Sequence, residues 1–170
     1  MARWAMSGSE EVWNEEEPPT WPLNAPAKRV LVAEDDAAMR DLLLLVLRER
    51  GYEVDAVSSG SQMISVLSER NPDGSLVERF DLIVTDVRMP GASGLDAIDE
   101  LRRSGGLTPV IAVTAFPHDA TRQRAQRLEV RLLAKPFDLD TLREAVESVF
   151  GVTGVRPDGH DPGVERKARS

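Results

Sequence analysis

Short apolar runs alternate with amphipathic segments five times along the chain, and this alternation limits the fold more than any other feature of the sequence. Two of the runs, residues 82–87 and 109–114, are almost continuously apolar or β-branched, which is typical of parallel strands that helices cover on both faces. Parallel neighbours need long crossover connections, and the segments between the runs are suited to helices. The pattern predicts an α/β fold with a doubly wound, five-stranded parallel sheet. The runs cover residues 29–33, 52–57, 82–87, 109–114 and 131–134.

The segments between the runs carry signals for helix ends. Asp36 is placed to cap a helix over residues 37–50, and Gly51 follows as the residue that ends it. Asp138 is placed to cap the last helix. Other helices are predicted to begin near residues 59, 94 and 118. The apolar spacing of the first helix predicts a buried face made of Met39, Leu42, Leu43, Val46 and Leu47.

Composition divides the chain into one domain and two tails. Residues 1–27 contain all three tryptophans, four prolines and a concentration of glutamates, so we expect a disordered segment with Trp side chains suited to anchoring an interface. Residues 28–150 form the predicted domain. Residues 151–170 return to Gly, Pro and charged residues and are predicted to be a second disordered tail.

Charge and residue usage exclude several classes of function. A formal net charge of −8, from 21 basic and 29 acidic residues, gives no electrostatic basis for direct DNA binding. The absence of cysteine excludes disulfides, thiolate metal sites and cysteine nucleophiles. We find no apolar stretch long enough for membrane insertion and no secretory signal, so a soluble cytoplasmic protein is expected.

Polar side chains follow four of the apolar runs: Glu34 and Asp35, Asp86, Thr114, and Lys135. Alone, Asp86 could equally cap the next helix. Because ligands of open α/β sheets bind beyond the carboxyl ends of the strands, the set together predicts a site at that edge. Three close carboxylates repel unless a cation joins them, and Mg²⁺ prefers such oxygen ligands. Asp86 is then a candidate nucleophile, with Lys135 and Thr114 placed to bind phosphoryl oxygens.

Five motifs in this order resemble the receiver domain of two-component response regulators. The resemblance covers about residues 28–150 and implies a flavodoxin-like fold with strand order 2-1-3-4-5. The motifs are Val32-Ala33-Glu34-Asp35-Asp36, Asp86 with Met89-Pro90, Gly94, Val113-Thr114-Ala115 and Lys135-Pro136-Phe137.

The resemblance implies a role for each site residue. Asp86 would be the phosphoacceptor, Thr114 the switch hydroxyl and Lys135 the phosphate-binding cation. Mg²⁺ would be held by Glu34, Asp35, Asp86 and the backbone carbonyl of Arg88.

The implied function is that of a stand-alone response regulator. It would accept a phosphoryl group from a histidine kinase or a histidine phosphotransfer protein, catalyse only its own phosphorylation and dephosphorylation, and signal by contact with a downstream protein. About 20 residues after position 150 are too few for a packed output domain. Whether phosphorylation also produces a dimer is left open. The alternative is a pseudo-receiver that binds proteins without being phosphorylated. A dehalogenase-like phosphatase is disfavoured, because Arg88 stands where that class needs a second Asp.

Several positions depart from the family pattern. Leu132 replaces the usual Tyr or Phe of the switch, so the readout of phosphorylation is expected to differ. Leu128-Glu129 replaces a common Gly-Ala pair, and the loop of residues 71–79 is longer than usual. Arg88 and Phe116 occupy variable positions beside the phosphoryl group, and we predict that they prolong the life of the phosphorylated form.

Arginines 124, 127 and 131 follow one another at helical spacing, with Arg122 nearby. Such a row is either a solvated helix face or a basic surface. The second interpretation predicts binding of an acidic segment, for which residues 10–17 of the same chain are a candidate.

Overall fold

The computed structural model describes residues 27–151, which contain five parallel strands and five helices. The strands form one sheet in the order β2-β1-β3-β4-β5, so the predicted flavodoxin-like fold is confirmed. The strands are β1 (Arg29–Ala33), β2 (Glu53–Val57), β3 (Leu82–Asp86), β4 (Val110–Thr114) and β5 (Val130–Ala134). The helices are α1 (Ala37–Glu49), α2 (Gly60–Leu67), α3 (Gly94–Arg103), α4 (Asp119–Arg127) and α5 (Leu139–Phe150).

The sheet lies between two helical layers. Helices α1 and α5 cover one face, and α2, α3 and α4 cover the other. Alternate residues of each central strand serve the two layers, so that Ile83 packs toward one and Val84 toward the other. Every residue of β3 and β4 is buried, which explains why their sequences do not alternate.

The predicted helix caps are present. The carboxylate of Asp36 accepts the N–H of Met39 at 2.7 Å, and that of Asp138 accepts the N–H of Thr141 at 2.6 Å. Gly51 follows α1 with φ +81°, a conformation that a side chain disfavours. The cap at Asp36 fixes where the chain leaves the carboxyl end of β1, and so where the preceding acidic residues stand.

One prediction for the buried face of α1 was wrong. Leu43, Val46 and Leu47 are buried, but Leu42 is 37% exposed. Residues 42–47 are all leucine or valine, so they surround more of the helix than one sheet face can cover. The sequence of this stretch could not show which leucines remain outside.

The helical spacing of arginines 124, 127 and 131 does not correspond to one continuous surface row. Helix α4 ends at Arg127, and Arg131 lies on β5, where its guanidinium donates to the hydroxyl of Ser148. Arg124 pairs with Asp96 of α3 at 2.6 Å. These two arginines therefore connect elements of the domain and do not form a continuous basic surface.

The long connection between α2 and β3 folds into a small hairpin. Arg70 and Leu76 form an antiparallel bridge, and the Asp73 side chain accepts the N–H of Ser75 at 2.9 Å. Gly74 completes the turn with φ +86°. After α4, Glu129 adopts φ 56° at the position where the family often has its Gly-Ala pair.

Within residues 27–151, none of the helices combines the length and the apolar character that crossing a membrane requires. The predictions of two disordered tails concern residues that, apart from 27 and 151, lie outside this range.

Candidate functional site

The carboxyl ends of the strands bring together the acidic residues predicted from the sequence. Oxygen atoms of Glu34, Asp35 and Asp86 all lie within 4.8 Å of one another. Glu34 and Asp35 follow β1, Asp86 ends β3, and these two strands are paired in parallel at the centre of the sheet. We call these three side chains the acidic cluster.

Lys135 supplies a positive charge to the acidic cluster from beyond the end of β5. Its Nζ lies 2.8 Å from Oδ2 of Asp86 and 3.0 Å from Oε2 of Glu34. Burial alone would lower the pKa of Lys135, but its hydrogen bonds to Asp86 and Glu34 outweigh this effect and raise the pKa. Lys135 therefore stays charged and is shared between two carboxylates.

Glu34 is the most deeply buried member of the acidic cluster, with 1% of its surface exposed. Burial is the largest influence on its carboxyl group and raises its pKa, and the negative charge of Asp86 raises it further. The hydrogen bond from Lys135 and that from the N–H of Asp36, at 3.3 Å, act in the opposite direction. Glu34 thus depends on Lys135 to remain ionised at the end of the sheet.

The backbone around Asp86 is fixed from two sides. Its Oδ1 accepts the N–H of Arg88 at 2.9 Å, and the N–H of Val87 bonds to the carbonyl of Val113 at 2.9 Å. A Cβ at Gly94 would lie 2.1 Å from the carbonyl oxygen of Asp86, closer than any side chain can approach. Gly94 therefore allows the start of α3 to pack directly against the residue that ends β3.

Thr114 ends β4, the strand next to β3, and is 1% exposed. Its Oγ1 accepts the N–H of Phe116 at 3.1 Å, and its carbonyl accepts the N–H of Lys135 at 2.7 Å. The structure thus places Thr114 at the predicted edge of the sheet, with its hydroxyl bonded to the following turn. The backbone N–H of Arg88 donates a hydrogen bond to the Asp86 carboxylate, and metal binding by the Arg88 carbonyl stays a prediction.

Two contacts around the site were not predicted. Arg40, in the first turn of α1, donates to the carbonyl oxygens of Glu34 at 2.8 Å and Asp35 at 3.3 Å, which holds the turn after β1. The guanidinium of Arg88 lies 4.5 Å from the ring centre of Phe116, a cation–π contact between the loops after β3 and β4. The sequence indicated both positions beside the site but not their contact, because the two loops are 28 residues apart.

Leu132 occupies the place where the family usually has an aromatic switch residue. It is partly buried and packs against the apolar cluster between the sheet and helices α2, α3 and α4. A leucine there is held by ordinary core contacts.

Sequence comparison identifies the family and agrees with the fold. The sequence model of the response regulator receiver domain matches residues 30–147, and the chain belongs to this family, whose members are parts of two-component systems. One similar protein is the alkaline phosphatase synthesis transcriptional regulatory protein SphR of Synechococcus elongatus, 37% identical over 120 residues. That alignment covers 68% of this chain and 46% of SphR. The chain spans about half the length of the curated relatives it matches first.

Two similar solved structures contain magnesium. The response regulator protein TrrA of Thermotoga maritima, in complex with Mg(2+)-BeF, is 30% identical with a TM-score of 0.60, over 72% of this chain and 98% of TrrA. The receiver domain of a sensor histidine kinase of Pseudomonas aeruginosa PAO1 has a magnesium ion coordinated in the active site cleft. It is 27% identical with a TM-score of 0.62, over 74% of this chain and 99% of that chain.

Proposed function

We propose that this chain is a phosphorylation switch in which Asp86 accepts a phosphoryl group from a histidine kinase or a histidine phosphotransfer protein. The observation that carries the proposal is the position of the Asp86 carboxylate. It lies 2.8 Å from the ammonium of Lys135 and within 4.8 Å of two further carboxylates, at the carboxyl edge of the sheet. Lys135 and the buried acids Glu34 and Asp86, with the exposed Asp35 beside them, contribute little to stability as a group, so a functional use accounts for the arrangement better.

The proposed transfer is a displacement at phosphorus. A carboxylate oxygen of Asp86 attacks the phosphorus of the donor phosphohistidine, and an O–P bond forms as the N–P bond breaks. The electron pair of the broken bond stays on the imidazole nitrogen. Lys135 is placed to follow the phosphoryl oxygens, because its Nζ already bonds to Asp86 Oδ2.

The acidic cluster fits a divalent cation by its chemistry. It offers oxygen atoms from Glu34, Asp35 and Asp86, and the exposed Asp35 leaves the cluster open toward solvent. Hard oxygen ligands with room for water suit Mg²⁺. These three side chains, with the Arg88 carbonyl as the remaining proposed ligand, would hold the ion. When bound, it would neutralise charge on the phosphoryl group during transfer.

The proposed output is contact with a downstream protein. Phosphorylation replaces the single negative charge of the Asp86 carboxylate by a phosphoryl group of about −1.5 to −2, which competes for Lys135 and for the hydroxyl of Thr114. Both residues sit where β4 and β5 lead into the next helices, so a change in their bonds would bias those elements. Helix α4 is suited to respond, because it buries only Thr121 and Ala125.

Intact mass after incubation with acetyl phosphate and Mg²⁺ tests the proposal. We expect one phosphoryl adduct, which is absent for Asp86→Asn and absent without the metal. Asp81→Asn is the matched control, because Asp81 lies at the other end of β3 and should leave the adduct unchanged. If the folded wild type in Mg²⁺ gives no adduct, phosphoacceptance is wrong.

That result would favour the second candidate, a pseudo-receiver that binds its partner without phosphorylation. The observation in its favour is Leu132, which lacks the aromatic surface that the family usually moves on activation. In that case a partner should bind wild type and Asp86→Asn with equal affinity.

A further inference from the structure

Helix α1 presents an apolar patch to solvent. Leu42 is 37% exposed and Leu45 is 57% exposed. The two residues are three positions apart, so they are neighbours on the helix surface. We call them the leucine patch. Most of the large hydrophobic side chains of residues 27–151 are buried, and Leu107 and Phe116 are the other two that are strongly exposed.

The leucine patch borders helix α5. Glu49 lies one turn beyond Leu45 on the same side of α1, and its carboxylate is 3.9 Å from the guanidinium of Arg143 on α5. A segment bound to the leucine patch would therefore lie next to α5 as well as on α1.

The described chain begins at the end of the domain where α1 and α5 both finish. The ammonium of Lys28 lies 5.9 Å from the ring centre of Phe150, the last residue of α5. The Phe150 ring is 5.3 Å from that of Tyr52, and Arg50, directly after α1, pairs with Glu147 at 2.9 Å. The point at which residues 1–26 join the domain is therefore next to the C-terminal end of α1.

The lengths fit a return of this segment onto α1. Leu45 and Leu42 lie five and eight residues before Arg50, which is about 7.5 and 12 Å along a helix. Leu23 and Trp21 precede Ala27 by four and six residues, and an extended chain spans about 12 and 19 Å over these distances. Pro22 and Pro26 favour such an extended backbone.

We propose that Trp21-Pro22-Leu23 docks on the leucine patch of the same molecule. Trp is among the side chains that contribute most to interfaces, and it is the first aromatic residue before the domain. The short connection gives this segment an effective concentration of about millimolar, which favours it over a second copy of the chain at ordinary concentrations. The arginines of α4 and β5 are a weaker site for the segment, because Arg124 and Arg131 already bond within the domain.

Tryptophan fluorescence of the full chain tests this docking directly. All three tryptophans lie at positions 4, 13 and 21, so the signal comes from the N-terminal segment alone. In a background of Trp4→Phe and Trp13→Phe, Trp21 is the sole reporter. We expect the double variant Leu42→Gln/Leu45→Gln to shift its emission to longer wavelength. Its acrylamide quenching constant should rise to that of N-acetyltryptophanamide.

Two controls separate docking from loss of structure. Leu107→Gln changes a leucine that is 77% exposed and follows α3, the helix that packs on the opposite face of the sheet from α1, so it should leave Trp21 emission unchanged. Leu23→Gln changes a residue of the docking segment and leaves the sequence of the domain unaltered. It should release Trp21 as the double variant does. It keeps the test decisive if the changes on α1 prevent folding.

Three outcomes overturn the proposal. In the first, Trp21 of the wild type already emits at the wavelength of a solvent-exposed tryptophan. In the second, neither Leu42→Gln/Leu45→Gln nor Leu23→Gln changes its emission. Either result means that the segment does not dock on the leucine patch. In the third, Trp21 emission shifts to the wavelength of an exposed tryptophan when the protein is diluted, and sedimentation shows a dimer. The leucine patch would then bind a second copy of the chain. None of these measurements requires phosphorylation, so the result is independent of the function proposed for Asp86.

Discussion

Replacing Lys135 by methionine should destabilise the metal-free domain far more than the same change at an exposed lysine. Lys135 bonds to Asp86 and Glu34, and Glu34 has only 1% of its side chain exposed. Methionine keeps most of the apolar stem and removes the charge. The acidic cluster would then contain three carboxylates without the ammonium that now lies between two of them.

The size of the effect follows from burial. Breaking a buried ion pair by removing one partner costs about 3–5 kcal/mol. The Lys135 and Asp86 side chains keep 20% and 11% of their exposure, so we take the lower limit, about 3 kcal/mol. A domain of this size loses about 4 °C of melting temperature per kcal/mol, so the variant should melt about 12 °C lower in EDTA.

Lys28→Met is the matched control. The Lys28–Asp81 pair has a distance of 2.9 Å, much like those of Lys135, but its side chains are 53% and 36% exposed. Exposed pairs contribute less than about 1 kcal/mol, which is less than about 4 °C here. Calorimetry of both variants in EDTA makes the comparison. Equal melting temperatures for Lys135→Met and Lys28→Met would refute the claim that burial makes the Lys135 charge necessary.

Three further predictions concern the same edge of the sheet. Gly94→Ala should cost about 1–3 kcal/mol in chemical denaturation and abolish the adduct on Asp86, because its Cβ meets the Asp86 carbonyl at 2.1 Å. Gly105→Ala, with open space around it at φ +87°, should lose stability but keep the adduct, and an adduct on both variants would contradict this reasoning. Phe116→Ala should shorten the life of the adduct about two- to five-fold in a mass time course, since an exposed cation–π contact contributes about 0.5–1 kcal/mol; an unchanged decay rate excludes the role of the ring. The raised pKa of Glu34 means that its contribution to stability is complete below its ordinary value of 4.5 and is lost as pH rises through the higher folded value. In metal-free urea titrations, Glu34→Gln should therefore gain stability relative to wild type as pH increases through that window, and a constant difference would count against the raised pKa.

The fold could be predicted because local signals and the global arrangement agree. The apolar run that ends at Asp86 is unbroken because both of its faces are buried, and this is a property that sequence displays directly. Caps such as Asp36 and Asp138 act within one turn, so their partners are known from sequence spacing alone. The convergence of Glu34 and Lys135 followed from topology, since all parallel strands end at the same edge.

The parts that could not be predicted depend on contacts between distant elements. Whether Leu42 is buried depends on how wide a face of α1 packs against the sheet, and the apolar periodicity of the helix sequence alone does not decide this. Arg131 keeps a helical spacing from Arg127, but the chain changes to a strand between them, and spacing alone does not show where the two side chains point. The contact of Arg88 with Phe116 joins two loops whose relative position exists only in the folded domain.

The bonds now made at the acidic cluster suggest how the proposed switch would be read without an aromatic at position 132. Lys135 is shared between Glu34 and Asp86, and the Thr114 hydroxyl accepts a hydrogen bond from the turn before α4. A phosphoryl group on Asp86 would offer both residues a more highly charged partner. Lys135 would turn from Glu34, and the Thr114 hydroxyl would turn toward the phosphoryl oxygens, so the turn before α4 would lose one of its bonds. Leu132, packed in the core, need not rotate for this to happen. The signal would then pass through the start of α4, and a partner that reads it should contact that turn rather than a displaced ring on β5.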